Sequence, residues 1–158
     1  MAIYLKIDGV DGQVTTEGHE KWIELLSFQY GVGRSFSTGE GGAIREASHP
    51  SVSDITITKN FDVASTHLYR EAVAGTMDKK VKIHFTTTTK DKVETYLELE
   101  LVDCAVAGYS MSSGGDRPTE SLSLNFTKII YTPSLLDAKG QPKKGAIVGY
   151  DLLKMKAM

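Results

Sequence analysis

A chain of 158 residues with 41% hydrophobic content has the size of one domain. It buries roughly 70% of its unfolded surface, so a packed core needs neither disulfides nor a structural metal. The net charge of −2 argues against a chain that grips a phosphate backbone by bulk charge, so nucleic acid is not an expected partner. The single cysteine, Cys104, cannot form an intrachain disulfide; in the apolar run LVDCAVAGY it reads as a small buried hydrophobe.

At the N-terminus, MAIYLKIDGV has no basic leader region, and its apolar residues alternate with polar ones, so no signal peptide is expected. No stretch approaches the roughly 18 apolar residues of a membrane span, so membrane insertion is not expected either. Ile3, Leu5 and Ile7 against Tyr4, Lys6 and Asp8 predict a first strand, closed by Gly9 to Gly12. A polar connection, QVTTEGHE, follows. Lys21 to Val32 predicts a second strand that is apolar on both parities, with Trp22, Leu26, Phe28 and Tyr30 on one and Ile23 and Leu25 on the other. Two explanations stand side by side: burial on both faces, the second against another subunit, or a bulge that flips the parity.

From Gly33 to Ser51 the periodicity disappears (GRSFSTGEGGAIREASHPS). A loop of about twenty residues exceeds ordinary connections, and loops of that length are usually functional or disordered. This one carries contact-making residues: Arg34, Phe36, Glu40, Ile44, Arg45, Glu46 and His49. It is expected to order against a partner.

The stretch Asp54–Thr87 predicts strand, helix, strand. Ile55, Ile57 and Phe61 share one parity in the first run; Val81, Ile83 and Phe85 share one in the last. Between them, Asp62 is expected to cap the helix and Gly75 to end it in the left-handed conformation. Ser65, Leu68, Tyr69, Ala72 and Val73 form the apolar stripe, opposite His67, Arg70 and Glu71. After a turn at Asp91–Lys92, a long strand runs from Val93 to Tyr109. Leu97, Leu99 and Leu101 face in, and the parity breaks beyond Leu101. The loop Ser110–Pro118 leads into a strand over Thr119–Thr132, with Leu122, Leu124 and Phe126 inward. Pro133–Gly145 is polar and turn-rich, and Ala146–Met155 is the last strand. About seven or eight strands joined by turns, with one helix, predict antiparallel pairing closed into a barrel or sandwich.

The residues of catalytic or metal chemistry do not assemble. None of the four histidines, His19, His49, His67 and His84, has metal-ligand spacing, and HExxH and CxxC are absent. His19 and His49 read as loop residues, and His67 and His84 as exposed faces. The glycines near Gly31 and Gly39–Gly42 lack the remainder of a phosphate-binding motif. Glu98 and Glu100 read as a solvated strand face, and Asp103 beside Cys104 opposes a reactive thiolate. The expectation is a protein without enzyme activity or cofactor.

Four blocks, taken together, carry a family resemblance: IYLKIDGVDG, GHEKWIELLSFQYGV, DITITKNFDVAS and GGDRPTESLSLNFTKIIYT. Their order and spacing resemble the Hcp family, the haemolysin-coregulated proteins that form the tube of the type VI secretion system. One departure is Ser65-Thr66, where the family often has Ser-Pro. The resemblance implies a mainly β fold: one domain over residues 1–158, a compact antiparallel β-barrel with one flanking α-helix. It also implies hexameric rings of identical copies, stacked into a tube, with sheath and spike proteins as partners and effector proteins in the lumen. The Gly33–Ser51 loop would be the extended loop that reaches a neighbouring subunit. The protein would be made in the bacterial cytoplasm and expelled by the secretion machine without a cleaved signal peptide. From the residues alone, two other readings stand: a monomeric small-ligand-binding β-barrel with an apolar pocket inside, and an enzyme that uses Cys104.

Overall fold

The computed structural model describes residues 1–37, 47–136 and 142–158. Alternating apolar residues build its wall. β1 (Ala2–Ile7) turns Leu5 and Ile7 inward and lies antiparallel between β2 (Ile23–Leu25) and β7 (Lys79–Thr89). β7 pairs with β8 (Lys92–Ser112), whose first half also pairs with β10 (Lys128–Leu136). From Ala105 onward β8 pairs with β9 (Thr119–Asn125), β9 with β6 (Ile55–Asn60), and β6 with β3 (Ser27–Gln29). β2 and β3 are separated only by Leu26, whose N–H donates to the Thr58 carbonyl at 2.7 Å. The pairings therefore run in a circuit completed by the backbone at Leu26, not by an unbroken ladder. The fold is mainly β and antiparallel with one helix, as expected.

Several boundaries differ from the sequence reading for identifiable reasons. The doubly apolar strand is two strands. Ile23 and Leu25 are buried, Leu26 is 55% exposed, and Phe28 and Tyr30 then pack against the core from the other parity. The flip lies at Leu26. The Thr119–Thr132 strand is also two, β9 and β10, which pair with different halves of β8. At the C-terminal end, β12 (Val148–Asp151) pairs with both β10 and β13 (Lys156–Ala157). The hairpin turns where Asp151 Oδ1 accepts from the amides of Leu153 and Lys154. In the turn-rich segment, β11 (Pro142–Lys144) folds back on β10.

The parity break after Leu101 is a bulge. Leu101 pairs with Val81 but Cys104 with Lys79, so β8 spends one residue more than β7. Asp103 takes φ +51° there, a conformation aspartate tolerates better than most residues. The bulge returns Cys104 to the interior and lets β8 change partners at Ala105.

The helix α1 (Ser65–Ala74) packs on the wall through Ser65, Leu68 and Ala72. Tyr69 and Val73, expected in the same stripe, are 56% and 66% exposed, so the buried stripe is narrower than predicted. Asp62 lies before the helix and not at its cap position, Ala64. Its Oδ1 still accepts from the Ala64 amide at 2.9 Å, while its own N–H donates to Ser65 Oγ. Gly75 is extended, with φ −76° and ψ 164°, not left-handed. Glycine is needed for another reason: a Cβ would sit 2.4 Å from the Glu71 carbonyl oxygen.

Phe61, expected inside, is 45% exposed. The inward position after Ile55 and Ile57 belongs to Lys59, which is fully buried. Its Nζ lies 2.7 Å from Glu120 Oε1, 2.9 Å from Asp62 Oδ1, 3.2 Å from Ser65 Oγ and 2.9 Å from the Asn60 carbonyl. Glu120, also fully buried, accepts from Ser65 Oγ at 2.6 Å and from the Tyr109 hydroxyl. Burial alone would raise the Glu120 carboxyl. The hydrogen bonds from Lys59, Ser65 and Tyr109, with the Lys59 charge, outweigh it and hold the group below its ordinary value of 4.5. Tyr109 is pushed up to about 12 by burial and by its bond to Glu120.

Removing one partner of a buried pair strands the other, at about 3–5 kcal/mol. Asp62 remains as a second acceptor for Lys59, so Glu120→Gln is expected at the lower end, about 3 kcal/mol, in denaturant unfolding. A loss below about 1 kcal/mol would show that the pair is not stabilising relative to its neutral form. The depressed Glu120 value stabilises the fold above pH 4.5 and is lost as pH falls through its folded value. The variant should therefore show a flatter stability profile on the acid side.

Candidate interaction surface

Beyond β3 the two stems of the long loop pair with each other. β4 (Val32–Gly33) and β5 (Ser51–Val52) align Val32 with Val52 and Gly33 with Ser51. Further out, the Ser48 amide donates to the Ser35 carbonyl at 2.7 Å, and the Ser35 amide donates to Ser48 Oγ at 2.9 Å. A bridge between Phe36 and Ala47 is the last rung described. The described ends of the stretch without periodicity thus pair as the two stems of an arm. Its serine rungs carry no apolar alternation because neither face of the arm is buried in its own domain.

The sequence-predicted contact residues divide accordingly. Arg34 and Phe36 lie on the outgoing stem and His49 on the returning one. Glu40, Ile44, Arg45 and Glu46 lie outside the described residues. The Arg34 guanidinium stands 4.8 Å from the centre of the Phe36 ring, a cation–π contact worth about 0.5–1 kcal/mol at an exposed site. Phe36 is more than half exposed and His49 is exposed.

The base of the arm meets the C-terminal hairpin. Arg34, His49 and Pro50 line a cavity of about 530 Å³ together with Tyr150, Met155 and Ala157. An apolar groove of about 430 Å³ adjoins it, lined by Tyr30, Ile129, Tyr131, Val148 and Tyr150. Val32, Val148 and Met155 are about half exposed around these hollows, and Leu153 is 81% exposed. A second group of exposed apolar residues surrounds the helix: Val63, Tyr69, Val73 and Met77. Apolar clusters of this kind are characteristic of contact surfaces.

The interior holds side chains. Leu5, Ile23, Ile55, Ile57, Leu68, Ile83, Leu101 and Leu124 are all fully buried in one cluster. The apolar groove lies on the outer surface, not within the wall as a ligand-binding barrel would have it. Among the described residues, no group of three or more His, Cys, Asp or Glu side chains is placed to hold a metal. No helix among them is long and apolar enough to cross a membrane. Glu98 and Glu100 do not form a carboxylate pair: Glu98 lies 3.0 Å from His84 Nε2, and Glu100 lies 3.2 Å from Lys80 Nζ. Burial pushes the Cys104 thiol up to about 12, reinforced by the charge of Asp54.

Two features escaped the sequence reading. His19 is buried, not a free loop residue, and His84 is half-buried, with its ring against those of His19 and Trp22. The clue was positional: His84 pairs with Tyr4 across β1 and β7. The Lys59–Glu120 pair was missed although Lys59 shares the parity of Ile57, and Glu120 that of Leu122.

These features define a β-walled subunit with outward contact surfaces. The family profile described as "Type VI secretion system effector, Hcp" matches residues 4–132. The chain belongs to the Hcp family, the tube subunits of the type VI secretion system. Among solved structures, one described as a type six secretion system protein is 28% identical, with a TM-score of 0.90 and 99% of each chain covered. Hcp1 from Salmonella typhimurium is 22% identical with a TM-score of 0.74, covering 99% of this chain and 98% of its own. A type VI secretion system effector from Yersinia pestis is 21% identical with a TM-score of 0.71, covering 94% and 98%. At these lower identities the likeness is one of fold. No curated protein matches the chain.

The placement of Cys104 makes a direct test. In the folded protein at pH 8, iodoacetamide should leave Cys104 unmodified over hours and alkylate it within minutes in denaturant. Rapid alkylation of the native protein would overturn its assignment as a core residue.

Proposed function

We propose that the protein is a structural subunit without catalytic activity that closes into hexameric rings, which stack into the tube expelled by the secretion system. The observation that carries this reading is the pair of exposed apolar surfaces on different elements: the arm with the C-terminal hairpin, and the helix with its flanking residues. Head-to-tail closure needs two different surfaces, one meeting the other on the next copy, whereas a two-fold dimer needs only one. A stable contact of this kind buries more than about 1,200 Å². The arm, whose rungs are stabilised only locally, is suited to reach a neighbouring copy. Sheath and spike proteins would be the partners outside the ring, and effector proteins the cargo within its lumen. The route is synthesis in the bacterial cytoplasm and expulsion by the secretion machine.

Light scattering behind a sizing column should give six times the chain mass at micromolar concentration. A monomer throughout that range would overturn the ring. Replacing residues 35–48 by a four-residue turn should leave the fold cooperative, because none of its described residues belongs to the buried cluster, while impairing ring closure or stacking seen by electron microscopy. Unchanged rings and stacks would remove the arm from the assembly.

A further inference from the structure

The connection from Gly12 to Trp22 is laid over the outer face of the wall, where Thr16 Oγ1 meets the Tyr4 hydroxyl at 3.2 Å, Gln13 Oε1 accepts from the Val63 amide at 3.3 Å, and the ring of His19 makes the contact with β7. Its backbone closes on itself: Gly12 donates to the Lys21 carbonyl, Lys21 to Val14 and Val14 to Trp22. It meets β7 through the rings of His19 and Trp22. His19 Nε2 stands 3.0 Å from His84 Nδ1, with the two rings nearly perpendicular. Tyr4 of β1 flanks His19 at 4.8 Å between ring centres, and Trp22 flanks both histidines, at 4.8 Å from His19 and 4.5 Å from His84.

A nitrogen–nitrogen separation of 3.0 Å holds one hydrogen, not two. In the neutral pair, His19 donates to His84 Nδ1, and His84 keeps its own proton on Nε2, facing the Glu98 carboxylate at 3.0 Å. His19 Nδ1 is then the bare nitrogen, and among the described residues it has no partner. A first added proton is accommodated by exchanging tautomers: His84 becomes the cation beside Glu98 and donates to His19 Nε2, while His19 carries its proton on Nδ1. A second proton places hydrogens on both facing nitrogens, and the contact cannot survive.

We propose that the His19–His84 pair is a proton-sensitive latch: it holds the Gly12–Trp22 loop on the wall while one hydrogen lies between the rings, and releases the loop when both facing nitrogens are protonated.

The surrounding charges divide. Glu98 on β8 and Glu20 on the loop favour protonation, whereas Lys82 on β7 opposes it. Lys6 on β1, Glu24 on β2 and Glu100 on β8 occupy adjoining register positions, and Thr95 of β8 contacts His84 Nδ1 at 3.4 Å. Burial lowers both histidines from their ordinary value of 6.5, and for His84 the proximity of His19 lowers it further. With depressed folded values, the latch stabilises above pH 6.5 and is lost as pH falls through them. Release therefore belongs to the acid side of pH 6.5. The freed loop carries Gln13, Val14, Thr15 and Thr16, which line a polar cavity of about 440 Å³ with Glu24 and Arg117.

Trp22 is the chain's sole tryptophan and lies against His84, so its emission reports protonation of His84, while amide exchange over the loop reports its release. Between pH 7.5 and 5.0, emission should fall with a midpoint below 6.5, because a protonated imidazole quenches indole. Amide exchange over Gly12–Trp22, corrected for its intrinsic pH dependence, should rise at least tenfold while β9 is unchanged. Glu98→Gln, a substitution on the half-exposed outer face, should move the midpoint down by roughly one pH unit. His84→Gln should abolish the step. A flat emission profile, a step that persists in His84→Gln, a midpoint unmoved in Glu98→Gln, or loop exchange that rises no more than that of β9 would each overturn the latch.

Discussion

The buried contact between Lys59 and Glu120 is the constraint on which the arrangement of helix and wall depends. Both side chains are wholly removed from water, and Glu120 can stay charged there only because Lys59, which Asp62 also contacts, stands beside it. Lys59 comes from β6, Glu120 from β9, Ser65 from the first residue of the helix and Tyr109 from the far half of β8. One polar cluster thus ties three strands and the helix at one place. The apolar contact of the helix with the wall is narrow, carried by Leu68 and Ala72 and by the edge of Tyr69 against Tyr109. The ammonium and the carboxylate fix its position, since a shift of one residue would leave a charge unpaired in the interior.

The strained positions of the wall follow from β8. A strand of 21 residues that serves two sets of partners has to bend, and it does so by spending extra residues. The bulge at Asp103 lies where β7 and β10 give way to β9. A second, between Val106 and Gly108, adjusts the register against β9. The second directly precedes Tyr109, whose hydroxyl bonds Glu120. Bulge and ion pair are two parts of one geometric solution.

Much of this was legible in the sequence. Period-two alternation located the inward residues Leu99, Leu101, Leu122, Leu124, Val81 and Ile83, because a residue on the buried face has little freedom to be polar. The same logic misplaced Phe61 and passed over Lys59, since a parity rule reads a charged residue as outward. Only a second charge at the matching position of a partner strand makes burial tolerable, and that partner, Glu120, is 61 positions away. Strand ends were less legible. Leu26 is apolar yet points outward, and Phe126 ends one strand where apolar alternation continues into the next. The arm was visible only as a loss of pattern: its rungs are serines bonded to serines, which carry no hydrophobic signal. The histidine pair was invisible because His19 and His84 are brought together by the β1–β7 register and by a loop whose own residues are polar.

The parts of the molecule that rest on local contacts are also the parts that face outward. Among the described residues, the arm beyond β4 and β5 carries the Ser35–Ser48 hydrogen bonds and the Phe36–Ala47 bridge. In the C-terminal hairpin β12 is held by β10 while β13 rests on its short pairing with β12, and the Gly12–Trp22 loop rests on its own turns, on ring contacts with Tyr4 and His84, and on hydrogen bonds of Thr16 and Gln13. Segments with few buried apolar contacts open at lower free energy than the core they are attached to. In a structural subunit this division has a physical use. In the proposed ring the ion-paired wall would keep its shape as copies join, and the weakly held segments would adjust to each neighbour at small cost to the fold. The apolar residues exposed on those segments, Phe36 and Leu153 among them, are unburied within the single chain. Cover by another copy in that ring would bury them, so the energy that the isolated chain leaves unused at its surface would become available to the assembly.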